Sequence, residues 1–292
     1  MTQQFILNGL IAGGIYALVA LGFAVIFRTV KFFHLAHGVV YTAGAYVGYT
    51  LVVQLKLPVI LAFLMAMLLS AILGILINLT VYRPLRAKKA SNLVLLLASF
   101  GVFIFIQNLI QLIYGAQILS LRTGSVKMGY AVFSAIITPV QITILITSIV
   151  LMLALWLFIL KTRTGKAMRA VSDDPVAAGI VGINPEKIIM ISFALGSALA
   201  GAAGFLIGME TNLEPTMGFS MILKGIIASI VGGIGSIPGA LLGGLFIGLT
   251  ENIGIMWLPS AWKDAIAFAI LILFLLIRPQ GFLGIKAIKE AA

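Results

Sequence analysis

The 292-residue chain has a mean hydropathy of +1.20, and only 9% of its residues are charged. A soluble globular domain carries about a quarter charged residues, so this composition excludes that class and predicts an all-α, polytopic integral membrane protein. No cysteine occurs, which excludes disulfides, thiolate catalysis and cysteine metal sites. A net charge of +11 is typical of the basic helix ends that set membrane topology, so we expect lipid contacts and no nucleic-acid partner.

Apolar windows about 20 residues long predict the membrane spans. The first window runs too long for a signal peptide and lacks its positive start, so we interpret it as a span. About eight to nine hydrophobic segments result, and we assign residues 1–292 to a single transmembrane domain. In chain order the segments are Phe5–Phe27, Leu35–Leu55, Val59–Tyr82, Leu93–Tyr114, Gln141–Leu160, Ile188–Met209, Met221–Ile234, Ile237–Ile253 and Asp264–Ile277.

The seventh and eighth segments are separated by the sequence VGGIGSIPGA, residues 231–240. One continuous helix through this stretch would be costly, because an interior proline removes a hydrogen bond and clashes with the preceding turn. We therefore predict a Gly-broken pair of short helices that enters the membrane and returns. With the N-terminus outside, this arrangement puts the C-terminus and fourteen of the nineteen Lys and Arg residues in the cytoplasm, as the positive-inside rule favours.

The stretch Lys161–Lys187 is then a cytoplasmic loop, and it contains signals for a very short helix at Pro175–Val181. Asp174 is suited to accept hydrogen bonds from the open amides at the helix start, and proline fits the first helical position. Gly182 can adopt the left-handed conformation that ends a helix. A helix of about two turns is not stable alone in water, so we expect it to pack against this protein or a partner.

Polar residues and glycine breaks inside the predicted spans are candidates for a translocation pathway, because polar groups at membrane depth need a partner. Helix-to-helix hydrogen bonds would explain the side chains equally well, and a tight hairpin would explain the glycines. The candidates are Asn8, Tyr16, Tyr41, Tyr46, Asn78, Asn108, Gly233, Gly235 and Ser236.

Signals for catalysis and ion coupling are absent from the sequence. No phosphate-binding loop occurs, and no carboxylate precedes Asp173, so we expect a protein that is not an enzyme and binds no cofactor. We expect Glu251 and Asp264 at the outer membrane edge, and no ionisable group near the membrane centre of the kind that an ion-driven carrier uses. His34 and His37 lack neighbouring carboxylates, so packing is favoured over metal binding.

Four separated blocks resemble the permeases of branched-chain amino acid ABC transporters. They are NGLIAGGIYALVALGFAVIF near the start, RTGKAMRAVSDDPVAAGIVGINPEKI with SFALGSALAGAAG, GGIGSIPGALLGG, and RPQGFLG at Arg278–Gly284. Val176–Gly182 also resembles the coupling motif of ABC importer permeases, Glu-Ala-Ala, three residues, then Gly, although Val176 replaces the usual Glu. His34 and Leu35 depart from the family pattern.

The resemblance implies a permease half that translocates branched-chain or other neutral amino acids across the inner membrane. Its partners would be a second permease, giving a heterodimer, two cytoplasmic subunits that bind ATP and Mg²⁺, and an external solute-binding protein. Permeases for urea or short-chain amides are similar, so urea is the alternative solute; a stand-alone channel or ion-coupled carrier is the alternative from another class. The residues implied in coupling to the ATP-binding subunits are Arg169, Asp173, Asp174, Ala177, Ala178, Gly179 and Gly182.

Overall fold

The first helix, α1 (Thr2–Val30), lies at the centre of a helical bundle. In the computed structural model, which describes residues 2–122, 129–132 and 135–284, α1 packs against five other helices. Its apolar and small residues are buried along almost the whole length after Gly13. A helix that is apolar on all sides is stable only when surrounded, as this one is.

The described chain forms twelve α-helices and one short β-hairpin. Each of the nine predicted hydrophobic segments falls on a helix, which confirms the all-α membrane fold. After α1 the elements are α2 (His37–Tyr49), α3 (Val59–Ile77), α4 (Arg83–Ala87), α5 (Asn92–Tyr114), β1 (Tyr130–Val132), β2 (Ala135–Ile137), α6 (Pro139–Lys161), α7 (Arg163–Asp173), α8 (Pro175–Ile180), α9 (Pro185–Glu210), α10 (Met217–Gly232), α11 (Ile237–Gly254) and α12 (Lys263–Ile277). Single π-helical turns, Thr50–Gln54 and Asn78–Tyr82, extend α2 and join α3 to α4.

Helices α3, α5, α6 and α12 form the periphery and expose large apolar side chains on their outer faces. In water such faces would be unstable, but in a bilayer they contact lipid tails. Seven of the described helices are long and apolar enough to cross a membrane, and α10 is a shorter apolar helix. The chain is therefore a multi-pass membrane protein.

Glycines bring α1 and α11 into backbone contact. A Cβ on Gly9 would lie 3.0 Å from the Leu249 Cα, and one on Gly13 would lie 3.0 Å from the Leu245 Cα. From the other side, a Cβ on Gly244 or Gly248 would collide with the backbone of α1. Small residues at such interfaces allow dispersion contacts along the whole crossing, which replace the missing hydrophobic drive within lipid.

The chain after α1 turns back into the bundle before α2 begins. His37, the first residue of α2, packs against Gly22 in the middle of α1, where a Cβ would lie 2.8 Å from its ring. His34 is fully buried beside it, and its Nδ1 is 2.9 Å from the Tyr82 hydroxyl. Both histidines are thus core residues that connect α1 and α2 with the end of α3.

The Gly-broken pair forms two antiparallel helices, α10 and α11, joined by a tight turn at residues 233–236. Gly233 has φ 113° and Gly235 has φ 79°, a region that favours glycine. The segment after α12 covers this turn, because the Phe282 and Leu283 amides donate to the last carbonyls of α10, at 2.8 and 2.9 Å. The turn is therefore closed by the protein's own backbone.

Three elements were not predicted: the short helix α4, helix α7 and the β-hairpin. The outer side of α7 is polar, and its inner side buries Met168 and Val171 against the bundle. This amphipathic pattern is short and lies within a charged loop, so the sequence alone did not indicate a helix. The β-hairpin pairs Tyr130 with Ile137, and Gln4 bonds the backbone of its second strand.

Candidate functional site

The six-residue helix α8 projects from the end of the bundle on which α6 ends and α9 begins. Asp174 caps it as predicted, since its Oδ1 accepts from the Val176 and Ala177 amides at 2.7 and 3.0 Å. Gly182 has φ 85°, which confirms the left-handed conformation expected at the helix end. A second cap follows at Asn184, whose Oδ1 accepts from the Lys187 amide and starts α9.

One side of α8 packs on the protein and the other side is open. Ala178 is buried, whereas Val176, Ile180 and Val181 are 72%, 83% and 74% exposed. A Cβ added to Gly179 or Gly182 would meet nothing within 4 Å, so no part of the described chain crowds that side. We call Val176, Ala177, Gly179, Ile180 and Val181 the α8 outer face. Three large aliphatic side chains this exposed are typical of a surface that contacts a partner.

The charged residues before α8 attach it to the rest of the bundle. Arg28, at the end of α1, donates to the Ser172 hydroxyl at 2.9 Å and lies 4.0 Å from the Asp173 carboxylate. Arg169 donates to the Ile159 carbonyl in the last turn of α6, at 2.6 Å. Among the predicted coupling residues, Arg169 and Asp173 therefore connect α7 to the bundle. Ala177, Gly179 and Gly182 are accessible, whereas Ala178 is buried against the protein.

The candidate pathway residues lie in several separate environments. Tyr46 is buried against the Tyr114 ring, with centroids 4.8 Å apart, and Asn78 accepts from Arg86. Asn108 is exposed on α5 and donates to its own helix at Ile104, while Ser236 caps α11. The remaining candidates are Asn8, bonded to Gln4 at the start of α1, Tyr16 and Tyr41, buried in the core, and Gly233 and Gly235, in the turn described above. The structure does not bring them onto one surface.

A buried ion pair between α10 and α11 was not predicted from the sequence. Glu251 is 0% exposed, and its Oε2 is 3.2 Å from Lys224 Nζ and 2.9 Å from the Tyr16 hydroxyl. Lys224 also lies 3.0 Å from Asp264, which is 61% exposed and does lie at the edge of the bundle. Sequence reasoning missed the pair because Glu251 is close to the end of its helix, where an exposed position is the usual outcome.

The described residues contain no group of three His, Asp or Glu side chains that could hold a metal ion. His34 and His37 have ring centroids 5.9 Å apart, and the His34 ring also contacts Phe32, Tyr82 and Phe193. Aromatic packing and the hydrogen bond to Tyr82 account for the position of His34.

Comparison with known proteins gives a consistent result over almost the whole chain. Residues 5–275 match the family model described as branched-chain amino acid transport system, permease component. The permease protein LivH of the high-affinity branched-chain amino acid transport system from Escherichia coli strain K12 is 36% identical, with 99% of this chain and 100% of LivH covered. BraD, the corresponding permease protein from Pseudomonas aeruginosa, is 35% identical, with 98% and 97% covered.

Among solved structures, a chain of PsaBC from Streptococcus pneumoniae in complex with Fab superposes with a TM-score of 0.53. The alignment covers 94% of this chain and 92% of that one at 13% identity, so it supports the fold alone. Family, length and helical architecture agree. The chain belongs to the permease component family of the branched-chain amino acid transport systems.

Proposed function

We propose that this chain is the membrane-spanning permease subunit of an ATP-driven importer for branched-chain or other neutral amino acids. The importer would lie in the inner membrane, with the N-terminus outside and α8 in the cytoplasm. Its partners would be a second permease subunit, two ATP-binding subunits that carry ATP and Mg²⁺, and an external solute-binding protein. The relatives named above carry the same transport function in their names, which supports the choice of solute class.

The α8 outer face carries this proposal. A capped helix of six residues, with aliphatic side chains pointing away from the bundle, offers a small convex surface to a groove in a partner. Asp174 and Gly182 fix both ends, so a force on α8 passes to the chain on either side. Through α7 that force reaches α1, because Arg28 contacts both Ser172 and Asp173.

Movement of α8 by ATP-driven closure of the partners would then shift the bundle between inward- and outward-open states. Such a shift requires that the partners bind the two states with different affinity. Lys224 and Glu251 are charged residues buried within the bundle. A lack of buried charges is therefore no argument against an ion-coupled carrier. The case for an ATP-driven machine therefore depends on α8 and on the family.

Replacement of Ile180 by Glu should abolish coupling while the permease remains folded. The Ile180 side chain is 83% exposed, so the substitution removes little internal packing, but it places a charge on the α8 outer face. We expect at least a tenfold loss of solute-stimulated ATP hydrolysis, because a charge buried without a partner costs several kcal/mol. The measurement is ATPase activity of the purified complex in vesicles, with co-purification of the ATP-binding subunits scored in parallel.

The matched control is Ile180→Leu, which keeps an aliphatic side chain at the same position and should retain coupling. Both variants should show the same amount of folded permease in the membrane. Normal stimulated ATP hydrolysis in Ile180→Glu would overturn the docking role of the α8 outer face.

A further inference from the structure

The short helix α4 continues the outer face of α3 at the end of the span. The segment Val59–Ala87 forms one uninterrupted helical rod of 29 residues, with the π-helical turn inside it. A stripe of exposed apolar side chains runs along α3 and leads directly to Arg83, which is 59% exposed along its side chain. The stripe comprises Leu61, Leu64, Leu68, Ile72, Leu76 and Leu79.

Four cations follow the stripe within seven residues, and a single carboxylate accompanies them. Arg86 Nη2 lies 3.1 Å from Glu186 Oε2, and Arg83 Nε lies 3.8 Å from the same oxygen. Lys88 and Lys89 are exposed and form no ion pair with another described residue. The segment therefore has an excess of about three positive charges at the place where the apolar stripe ends.

The positive charge of Arg86 is only partly compensated. Its Nη2 also donates to Asn78 Oδ1 at 3.0 Å, but its Nε and Nη1 are buried and have no acceptor in the described part of the chain. The Asn78 amide nitrogen is buried nearby and also lacks an acceptor among the described residues. Because Arg83 and Arg86 share the single Glu186 carboxylate, that carboxylate neutralises only one of their two charges.

We propose that Arg83, Lys88 and Lys89, the α4 basic surface, bind the headgroup phosphate of an anionic phospholipid whose acyl chains lie along the exposed stripe of α3. Clusters of Lys and Arg immediately beyond a membrane helix attract anionic headgroups. An acyl chain fits the apolar stripe that leads to these cations, whereas a water-soluble partner would reach only the cations. The inference depends on the proposed function only in placing α4 at the cytoplasmic leaflet.

The test uses the purified complex, with whatever subunits co-purify, in phosphatidylcholine nanodiscs. The fraction of phosphatidylglycerol in the nanodiscs is increased stepwise, and bound lipid is counted by native mass spectrometry. The variant is Lys88→Gln with Lys89→Asn, since Lys89 has φ 55° and asparagine tolerates that conformation. The matched control, Lys161→Gln with Lys166→Gln, removes two exposed charges from the end of α6 and from α7.

We expect apparent affinity for phosphatidylglycerol to fall about 25-fold in the α4 variant, at roughly fivefold for each cation near the headgroup. The control should stay within about twofold of the unmodified protein, and phosphatidylcholine binding should not change. Equal affinity for phosphatidylglycerol in both double variants would overturn the proposal. Unchanged lipid affinity in the α4 variant together with loss of the ATP-binding subunits would also overturn it, because that result would assign the α4 basic surface to a protein partner. Complete absence of ATP-binding subunits would contradict the proposed function and leave the lipid result standing.

Discussion

At the scale of single residues, the Lys224–Glu251 pair is the feature most sensitive to change. Glu251 is fully buried, Lys224 is nearly so, and the Tyr16 hydroxyl bonds both. Removing one partner of a buried pair leaves an uncompensated charge, whereas replacing both by apolar groups can be nearly neutral. Through Tyr16 the pair links α1, α10 and α11. Helices α1 and α10 are also joined by Ser229, which donates to the Ala20 carbonyl at 3.1 Å. We therefore interpret the pair as an interaction that stabilises the packing of these three helices.

Replacement of Glu251 by Ala should lower the free energy of unfolding by about 3–5 kcal/mol, because Lys224 then keeps only the exposed Asp264 as a counter-charge. The double variant Lys224→Met with Glu251→Leu should recover most of that loss. Unfolding of the purified permease by heat or denaturing detergent measures both.

Tyr16→Phe serves as the control, since it removes one hydroxyl and leaves both charges paired. Its cost should be roughly 1–2 kcal/mol. A Glu251→Ala variant no less stable than Tyr16→Phe would show that the ion pair does not stabilise the fold.

At the scale of elements, close approach of α1 and α11 depends on the absence of side chains. Gly13 and Gly248 face each other so closely that a Cβ on Gly248 would collide with the Gly13 backbone. No flexible side chain can move aside there, because the obstacle is main chain. The same logic applies where Gly38 and Gly218 bring the starts of α2 and α10 together.

The substitution Gly248→Leu should force α1 and α11 apart and destabilise the bundle by about 1–3 kcal/mol or more. The chain offers a matched control in Gly101→Leu, since Gly101 lies on the exposed face of α5 with nothing within 4 Å of a Cβ. The control should be neutral or slightly stabilising, because leucine has the higher helix propensity. Thermal unfolding of both variants in the same detergent tests this, and an equal melting temperature for the two would refute the packing argument.

At the scale of the whole molecule, the lengths of the hydrophobic runs and the Gly, Pro and capping residues between them were enough to predict seven helices that can cross a membrane. The other two predicted segments form the shorter helices α2 and α10. Asp174, Gly182 and Asn184 act locally, so their roles at helix ends were visible in the sequence. The burial of Glu251 was not, because it depends on Tyr16 and Lys224, which lie 235 and 27 residues away along the chain. Helix α7 was missed for a related reason: its apolar face has meaning only against the bundle that it covers.

The pathway candidates illustrate the same limit. A polar residue in a span predicts a need for a partner, and for Asn78 and Tyr16 the structure supplies that partner within the protein. Asn108 differs, since it is exposed on a helix face that would otherwise meet lipid. A role for these residues in translocation stays a prediction.

The most direct test of an ATP-driven amino acid importer is ATPase activity of the complex formed with co-purifying subunits and reconstituted in vesicles. Leucine, alanine and urea would be titrated separately, each with the external solute-binding protein present. We predict stimulation by leucine or alanine, at concentrations that rank the solutes. Stimulation by urea alone would contradict the proposed solute class, and the absence of any associated ATPase would contradict the mechanism.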